Sequence, residues 1–260
     1  FQRETTQTLR PLAAAVLNVT PDHLDRHGPI EHYAKLKAAV IAEAATAVVN
    51  WDDPLTRAMG NAHAHSVPFS VREPLGEGYS VVNHAGARWL ARDRKPLVAS
   101  AELALEGALG EANSLAALAL TQALGGALLP ALETLRTFVG LPHRCQKVAE
   151  RDGVTYINDS KGTNVGATLA ALEGLAAPVV LIAGGLSKGA RFDSLAALPR
   201  GRLRAAVLIG AAAGELEGVL ARVCPTERAA SLPEAVERAA RAARAGDTVL
   251  LSPACASQDM

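Results

Sequence analysis

Residues 158–164, Asn-Asp-Ser-Lys-Gly-Thr-Asn, place an acid, a base and two hydroxyls within one short segment. A β-rich run, Val154-Thr155-Tyr156-Ile157, precedes it and a helix-like pattern follows. A lysine and a threonine on such a strand–turn–helix suit an anion. The spacing is nonetheless not the G-x-x-x-x-G-K-[ST] phosphate loop. Two more segments in this half of the chain follow β-like runs: AGGLSKGARF (183–192) and LLSPACAS (250–257). Together the three offer Asp159, Lys161, Thr163, Lys188, Arg191 and Ser257 to an anionic ligand. Cys255 lies among them and could be a nucleophile. It has no evident histidine partner or helix start, so a small buried cysteine is the better reading.

In the first half, NVTPDHLDRHG (18–28) holds Asp22, His23, Asp25, Arg26 and His27 just after an apolar run. A histidine or carboxylate there could ligate Mg²⁺ or orient a phosphate. The plainer alternative is a solvated loop whose aspartate caps the next helix, and the density of polar groups favours a site. His23 and His27 are four apart, a metal-ligand spacing, but Leu24 stands where H-E-x-x-H requires its acid. A zinc hydrolase would also need a third ligand that is not evident. HYAKLKAAVI (32–41), with Lys35 and Lys37, reads by itself as an ordinary amphipathic helix. His143 and Arg144 lie in GLPHRCQKV. Arginine suits two-pronged contact with phosphate, and a surface ion pair fits equally well.

These residues need a scaffold, and the pattern around them supplies one. Ala13–Thr20 reads as a buried strand entering a loop, 30–45 as a helix, Thr46–Asn50 as a strand and WDDP as the start of another helix, a βαβ signal. Short β-like runs over 65–100, with a hairpin candidate at His84-Ala85-Gly86, predict a small antiparallel addition. Helical patterns cover 113–124 and 129–138. Gly140-Leu141-Pro142 interrupts the pattern and marks a domain boundary. Beyond it, strands at 145–150, 154–157, around 179–184, around 205–210 and 248–251 alternate with helices at 164–174, near Ser194, at 214–222 and after Ser231. That alternation predicts a doubly wound α/β domain, whose ligands bind at the carboxyl ends of its strands. No G-x-G-x-x-G follows a strand, so a dinucleotide-binding module is disfavoured.

Composition narrows the classes. The 260 residues suffice for two domains, and 49% of them are apolar, enough for a substantial core. Lys plus Arg and Asp plus Glu both number 26, which argues against broad binding to nucleic acid or to a membrane surface. No apolar run reaches membrane-span length, and no signal peptide is visible. Three scattered cysteines without C-x-x-C spacing point to reduced thiols in a cytoplasmic protein. A monomer acting on small molecules is expected. The chain begins at Phe1 and stops at Met260 just after SPACASQD, and it reads like a piece of a longer protein.

LNVTPDHLDRHG, GLPHR, INDSKGTN, GG-x-x-K and LLSPACAS, in this order, resemble the linked motifs of the Mur ligases. INDSK-x-TN and SPACAS are similar to the D-glutamate-adding branch; its sisters carry D-x-Y-A-H-x-P at the former position. The resemblance spans almost the whole chain. It implies a partial Mur ligase central, ATP-binding domain at 1–140, with a parallel sheet and a small antiparallel addition. A Rossmann-like, amino-acid-binding ligase domain at 141–260 would follow. It implies an ATP- and Mg²⁺-dependent ligase that joins D-glutamate to UDP-N-acetylmuramoyl-L-alanine in peptidoglycan synthesis. A carboxylate takes the γ-phosphoryl group of ATP, and the amine of D-glutamate then displaces phosphate from the acyl phosphate. Another Mur-type or folylpolyglutamate-like ligase is the alternative.

By the same resemblance, His23 is a Mg²⁺-site histidine, and Lys37 becomes a Mg²⁺ ligand once carbamylated. Asn113 contacts adenine, and Arg144 and Asp159 contact ATP. Lys161 belongs to the reaction centre with His23 and Lys37, while Thr163, Lys188 and Ser257 bind the amino acid. The chain departs from the family in GALGEAN (107–113), where Leu109 and Gly110 replace an expected His-Asn. The family's G-T-N-G-K-[ST] loop and uridine-binding domain have no counterpart here, and Phe1-Gln2 resemble the end of its Ser-Ser-Phe-Gln motif. On that resemblance the 260 residues alone are expected to be inactive as a ligase.

Overall fold

The computed structural model describes residues 5–6, 8–22, 24–175, 178–187 and 189–256, without the side chains of Leu24 and Asp25. The chain divides into two compact units, residues 1–139 and 140–260.

The first unit is built on a six-stranded sheet: β1 (Ala13–Val16), β2 (Thr46–Asn50), β3 (Ser66–Ser70), β4 (Tyr79–His84), β5 (Ala87–Arg92) and β6 (Lys95–Ala99), in that spatial order. β1 to β4 run parallel, and β5 and β6 add antiparallel strands. Helices α1 (Ile30–Ala42) and α2 (Pro54–Asn61) make the first crossovers; α3 (Gly107–Ala123) and α4 (Leu128–Thr137) follow the sheet. Successive side chains of a strand face opposite sides, and β2 shows the result. Val48 packs with Phe69, Leu115 and Leu118, while Ala47 and Val49 pack with Ala34 and Ile41 of α1. The β4–β5 hairpin turns through Ala85 and Gly86, both at positive φ, as a two-residue loop requires. α3 starts at Gly107, earlier than the expected Asn113. Glu111 in its first turns is buried and receives two bonds from Arg88, at 3.0 and 2.6 Å, so a tertiary ion pair extends the helix through glycine-rich sequence.

The second unit holds β7 (Gln146–Arg151), β8 (Val154–Asn158), β9 (Val179–Gly184), β10 (Leu203–Ile209), β11 (Thr226–Arg228) and β12 (Thr248–Leu251). Their spatial order is β11-β10-β9-β12-β8-β7, parallel except for the β7–β8 hairpin. Helices α5 (Val165–Gly174), α6 (Ala213–Leu220) and α7 (Leu232–Ala242) connect them. Leu172 of α5 and Leu216 of α6 join Leu181, Leu208 and Leu250 on one face. Ala235 and Ala239 of α7 cover Val180, Ile182, Val207 and Val249 on the other. This is the doubly wound arrangement expected from continuous apolar strands. Each fully buried aliphatic side chain contributes roughly 1.5–3 kcal/mol. Three-residue β11, too short and polar to show in the sequence, pairs at the edge with β10.

Candidate active site

In the second unit, the carboxyl ends of β8, β9 and β12 bring three of the sequence-marked loops together. The amide of Ala254 donates to Gly162 O (2.9 Å), and that of Gly184 donates to Pro253 O (2.9 Å). Leu186 and Ala256 exchange backbone bonds of 2.8 and 3.1 Å. Only glycine fits the turn after β9. Gly184 and Gly185 have φ of +136° and +127°, and a Cβ would stand 1.8 Å from Ile209 O and 2.3 Å from Ala256 O. The site lies at the carboxyl ends of the parallel neighbours β8, β12 and β9, the end of the sheet at which such folds bind ligands.

Asp159 is the hub of this rim. It is 7% exposed. One carboxylate oxygen accepts from Ser252 Oγ (2.8 Å) and the other from the Cys145 amide (3.1 Å). Ser252 in turn bonds Thr168 Oγ1 of α5 (2.9 Å). Burial raises the Asp159 pKa above its ordinary value; the Ser252 hydroxyl, the Cys145 amide and thiol, and the charge of Arg144 oppose that. Burial first, then Asp159, push the Cys145 thiol up to about 12, so it is no nucleophile at neutral pH. Cys255 is 1% exposed in the core, in line with the small buried cysteine expected.

The same hub fixes the His143-Arg144-Cys145 turn. His143 and Cys145 have φ of 66° and 46°, a conformation costing non-glycine residues about 1–2 kcal/mol each. Bonds to the INDSKGTN loop offset this: Lys161 N–H to His143 O (3.2 Å), the Cys145 amide to Asp159, and Asn158 Nδ2 with His143 Nδ1 (3.1 Å). The His143 amide donates to Gln146 Oε1 (3.1 Å). Arg144, Lys161 and Thr163 are exposed on this frame. Asn164 caps α5 through a bond from Ala167 N (2.8 Å), placing Thr163 beside a helix N-terminus that favours anions. Arg191 is exposed and paired with Asp193 at 3.1 Å.

In the first unit, Lys37 of α1 donates from Nζ to Asn18 O at 2.9 Å. Burial lowers its pKa, and the charges of Asp22 and Asp53 act to raise it. A carbonyl and carboxylate charges near a partly buried amine are the hard oxygen donors that Mg²⁺ takes, and the residues would fit the ion if Lys37 carried a carbamate oxygen. Among the described residues, no three His, Cys, Asp or Glu side chains gather as a metal cage. His27 is buried and stacked on Tyr33, with ring centroids 5.3 Å apart. Lys35 is exposed.

Asn113 is exposed on α3. At Gly110 a Cβ would come within 2.2 Å of Leu105 O, so the family's asparagine has no room there with this backbone. His23, Lys188 and Ser257 lie outside the described residues. Sequence reasoning missed that Ser252 and Thr168 back the rim, and that Asn50 and Asp53 hold the loop before Asp22. Asn50 and Ser252 signal themselves only as polar residues at the ends of apolar strands, Asp53 as a helix start, and Thr168 not at all.

Two family models match: the Mur ligase middle domain over residues 1–121 and the Mur ligase, glutamate ligase domain, over 143–255. The UDP-N-acetylmuramoylalanine–D-glutamate ligase of Nitrosococcus oceani is 45% identical over the whole chain, which covers 58% of that protein. The ligase of the same name from Aromatoleum aromaticum is 48% identical, again over the whole chain and 57% of the relative. The chain thus spans little more than half the length of these relatives. Among solved structures, the MurF ligase of Thermotoga maritima in complex with ADP has a TM-score of 0.69 at 18% identity, covering 94% of this chain and 58% of its own; that likeness speaks to the fold.

Proposed function

The chain belongs to the Mur ligase family, and from that premise we propose that it supplies the middle and C-terminal parts of an ATP-dependent, ADP-forming carbon–nitrogen ligase. The substrates are D-glutamate and UDP-N-acetylmuramoyl-L-alanine, the product a peptidoglycan precursor, and the compartment the cytoplasm. The observation that carries this reading is the similarity to D-glutamate ligases along the entire chain. The joined loops after β8, β9 and β12 agree with it, because they expose a cation and a hydroxyl to a small anion.

In this reading, Lys161 and Arg144 hold phosphoryl oxygens, Thr163, Lys188 and Ser257 hold the carboxylates of D-glutamate, and Asn113 meets the adenine. Asp159 contributes from beneath the rim, keeping the turn of Arg144 against the loop of Lys161. Lys37, as the neutral amine that burial favours, adds CO₂ to give a carbamate and releases one proton. His23 and carbamylated Lys37 would then hold Mg²⁺, which when bound neutralises phosphoryl charge. The carboxylate of the nucleotide substrate takes the γ-phosphoryl group, ADP leaves, and the amine of D-glutamate displaces phosphate to form the amide.

The test is a chimera in which these 260 residues replace the matching part of the Nitrosococcus oceani relative. ADP release that requires both D-glutamate and UDP-N-acetylmuramoyl-L-alanine is expected. Equal release with another amino acid in place of D-glutamate would favour a different ligase specificity.

A further inference from the structure

The segment between β1 and Asp22 is held at three consecutive residues by three side chains from elsewhere in the first unit. Asn50 Nδ2 donates to Leu17 O at 2.9 Å, Lys37 Nζ to Asn18 O at 2.9 Å, and the Val19 amide to Asp53 Oδ2 at 2.8 Å. Asn50 and Asp53 are themselves fixed. Asn50 Oδ1 accepts from Asp52 N at 2.9 Å, and its carbonyl accepts from the hydroxyl of fully buried Thr56. The second oxygen of Asp53 caps α2, accepting from Leu55 N and Thr56 N at 2.9 and 3.0 Å. Both carboxylate oxygens of Asp53 thus accept from backbone amides, Oδ2 from Val19 and Oδ1 from the start of α2, so the residue ties the 17–19 segment to that helix.

We infer that Asn50 and Asp53 are positioning residues for the metal-binding part of the proposed ligase site, holding the 17–19 backbone so that the Asn18 carbonyl and Asp22 stay beside Lys37. The inference rests on the ligase reading of Lys37. Carbamylation reduces Nζ from three N–H groups to one, so the Lys37 bond is the member of the trio that changes with the chemistry. The other two use a neutral amide donor and a neutral backbone donor and do not depend on the state of Lys37. They keep the loop in register while Lys37 changes partner.

Asp53→Ser separates this from a purely structural role. Serine is a good N-cap, so α2 keeps its cap, but a single hydroxyl oxygen cannot also hold Val19. Two readouts are needed. In the 260-residue chain, amide exchange at Val19 is expected to rise roughly tenfold or more, the loss of one hydrogen bond, with the melting temperature lowered by no more than the roughly 2–4 °C such a bond accounts for. In the chimera, the Mg²⁺ concentration giving half-maximal rate is expected to rise roughly 10–100-fold, as for other groups that orient metal ligands, with KM for D-glutamate unchanged. Unchanged Val19 exchange overturns the inference. Faster exchange with an unchanged Mg²⁺ response also overturns it, by leaving Asp53 a structural bond only. A parent chimera that carries no carbamate on Lys37, read by ¹³C NMR in ¹³C-bicarbonate, overturns the ligase reading of that lysine while leaving the Val19 bond standing.

Discussion

Lys161 and Thr163 are exposed, yet their backbone is held by hydrogen bonds. The Lys161 amide is bonded to His143, and the Thr163 amide turns back to Lys161 O at 2.9 Å. Side chains on such a frame meet a ligand with little ordering cost. If Lys161 holds charge that develops at the phosphoryl group, Lys161→Ala in the chimera lowers kcat by roughly 100-fold or more. If Thr163 holds a D-glutamate carboxylate in ground and transition states alike, Thr163→Ala instead raises KM for D-glutamate by roughly tenfold and leaves kcat nearly unchanged. Steady-state kinetics with each substrate varied in turn measures both. If neither parameter moves, the segment is a capped helix start and nothing more.

Between elements, Asp159 joins β8, the 143–145 turn and, through Ser252 and Thr168, β12 and α5. Because burial holds its folded pKa above the ordinary 3.8, the neutral form is favoured on folding. Its stabilising contribution is therefore complete below that ordinary value and is lost as pH rises through the folded one. An asparagine side chain does not titrate in this range, so the urea midpoint of the parent relative to Asp159→Asn should improve as pH is lowered from neutral towards the carboxylate range. A constant difference between the two would contradict the assigned environment. Much of this architecture can be read from the sequence. Val-Val-Leu-Ile-Ala at 179–183 reads as a buried strand and is one covered on both sides, and His84-Ala85-Gly86, the hairpin candidate, turns the β4–β5 hairpin. What the sequence hides is what joins distant elements. Asp53 is visible as a helix start, but its grip on Val19 spans 34 residues. Glycine-rich 107–110 argues against helix on propensity, and the Arg88–Glu111 pair overrides it. The exposed side chains of the candidate site could be named from motifs, whereas the buried ones that set them, Ser252 and Thr168, are ordinary hydroxyls until the fold brings them to Asp159.

Across the molecule, two units with separate cores meet in sequence at an exposed stretch: Val139 is 79% and Leu141 56% exposed, and Phe138 and Arg144 are also open to solvent. Brief digestion with chymotrypsin is expected to cut first in the exposed 138–141 stretch, at Phe138 or Leu141, leaving two fragments of nearly equal length; first cuts inside either sheet would contradict the division. The order of strands in the second unit carries a consequence for biosynthesis. β12, which fills the gap between β8 and β9, is made about ninety residues after β8. Ribosomes add roughly 5–20 residues per second, so β8 waits several seconds for the neighbour that completes its parallel pairing. During that interval the facing edges of β8 and β9 are open to any strand that comes near, and a chaperone that shields nascent apolar strands would act on this unit before its candidate-site rim exists.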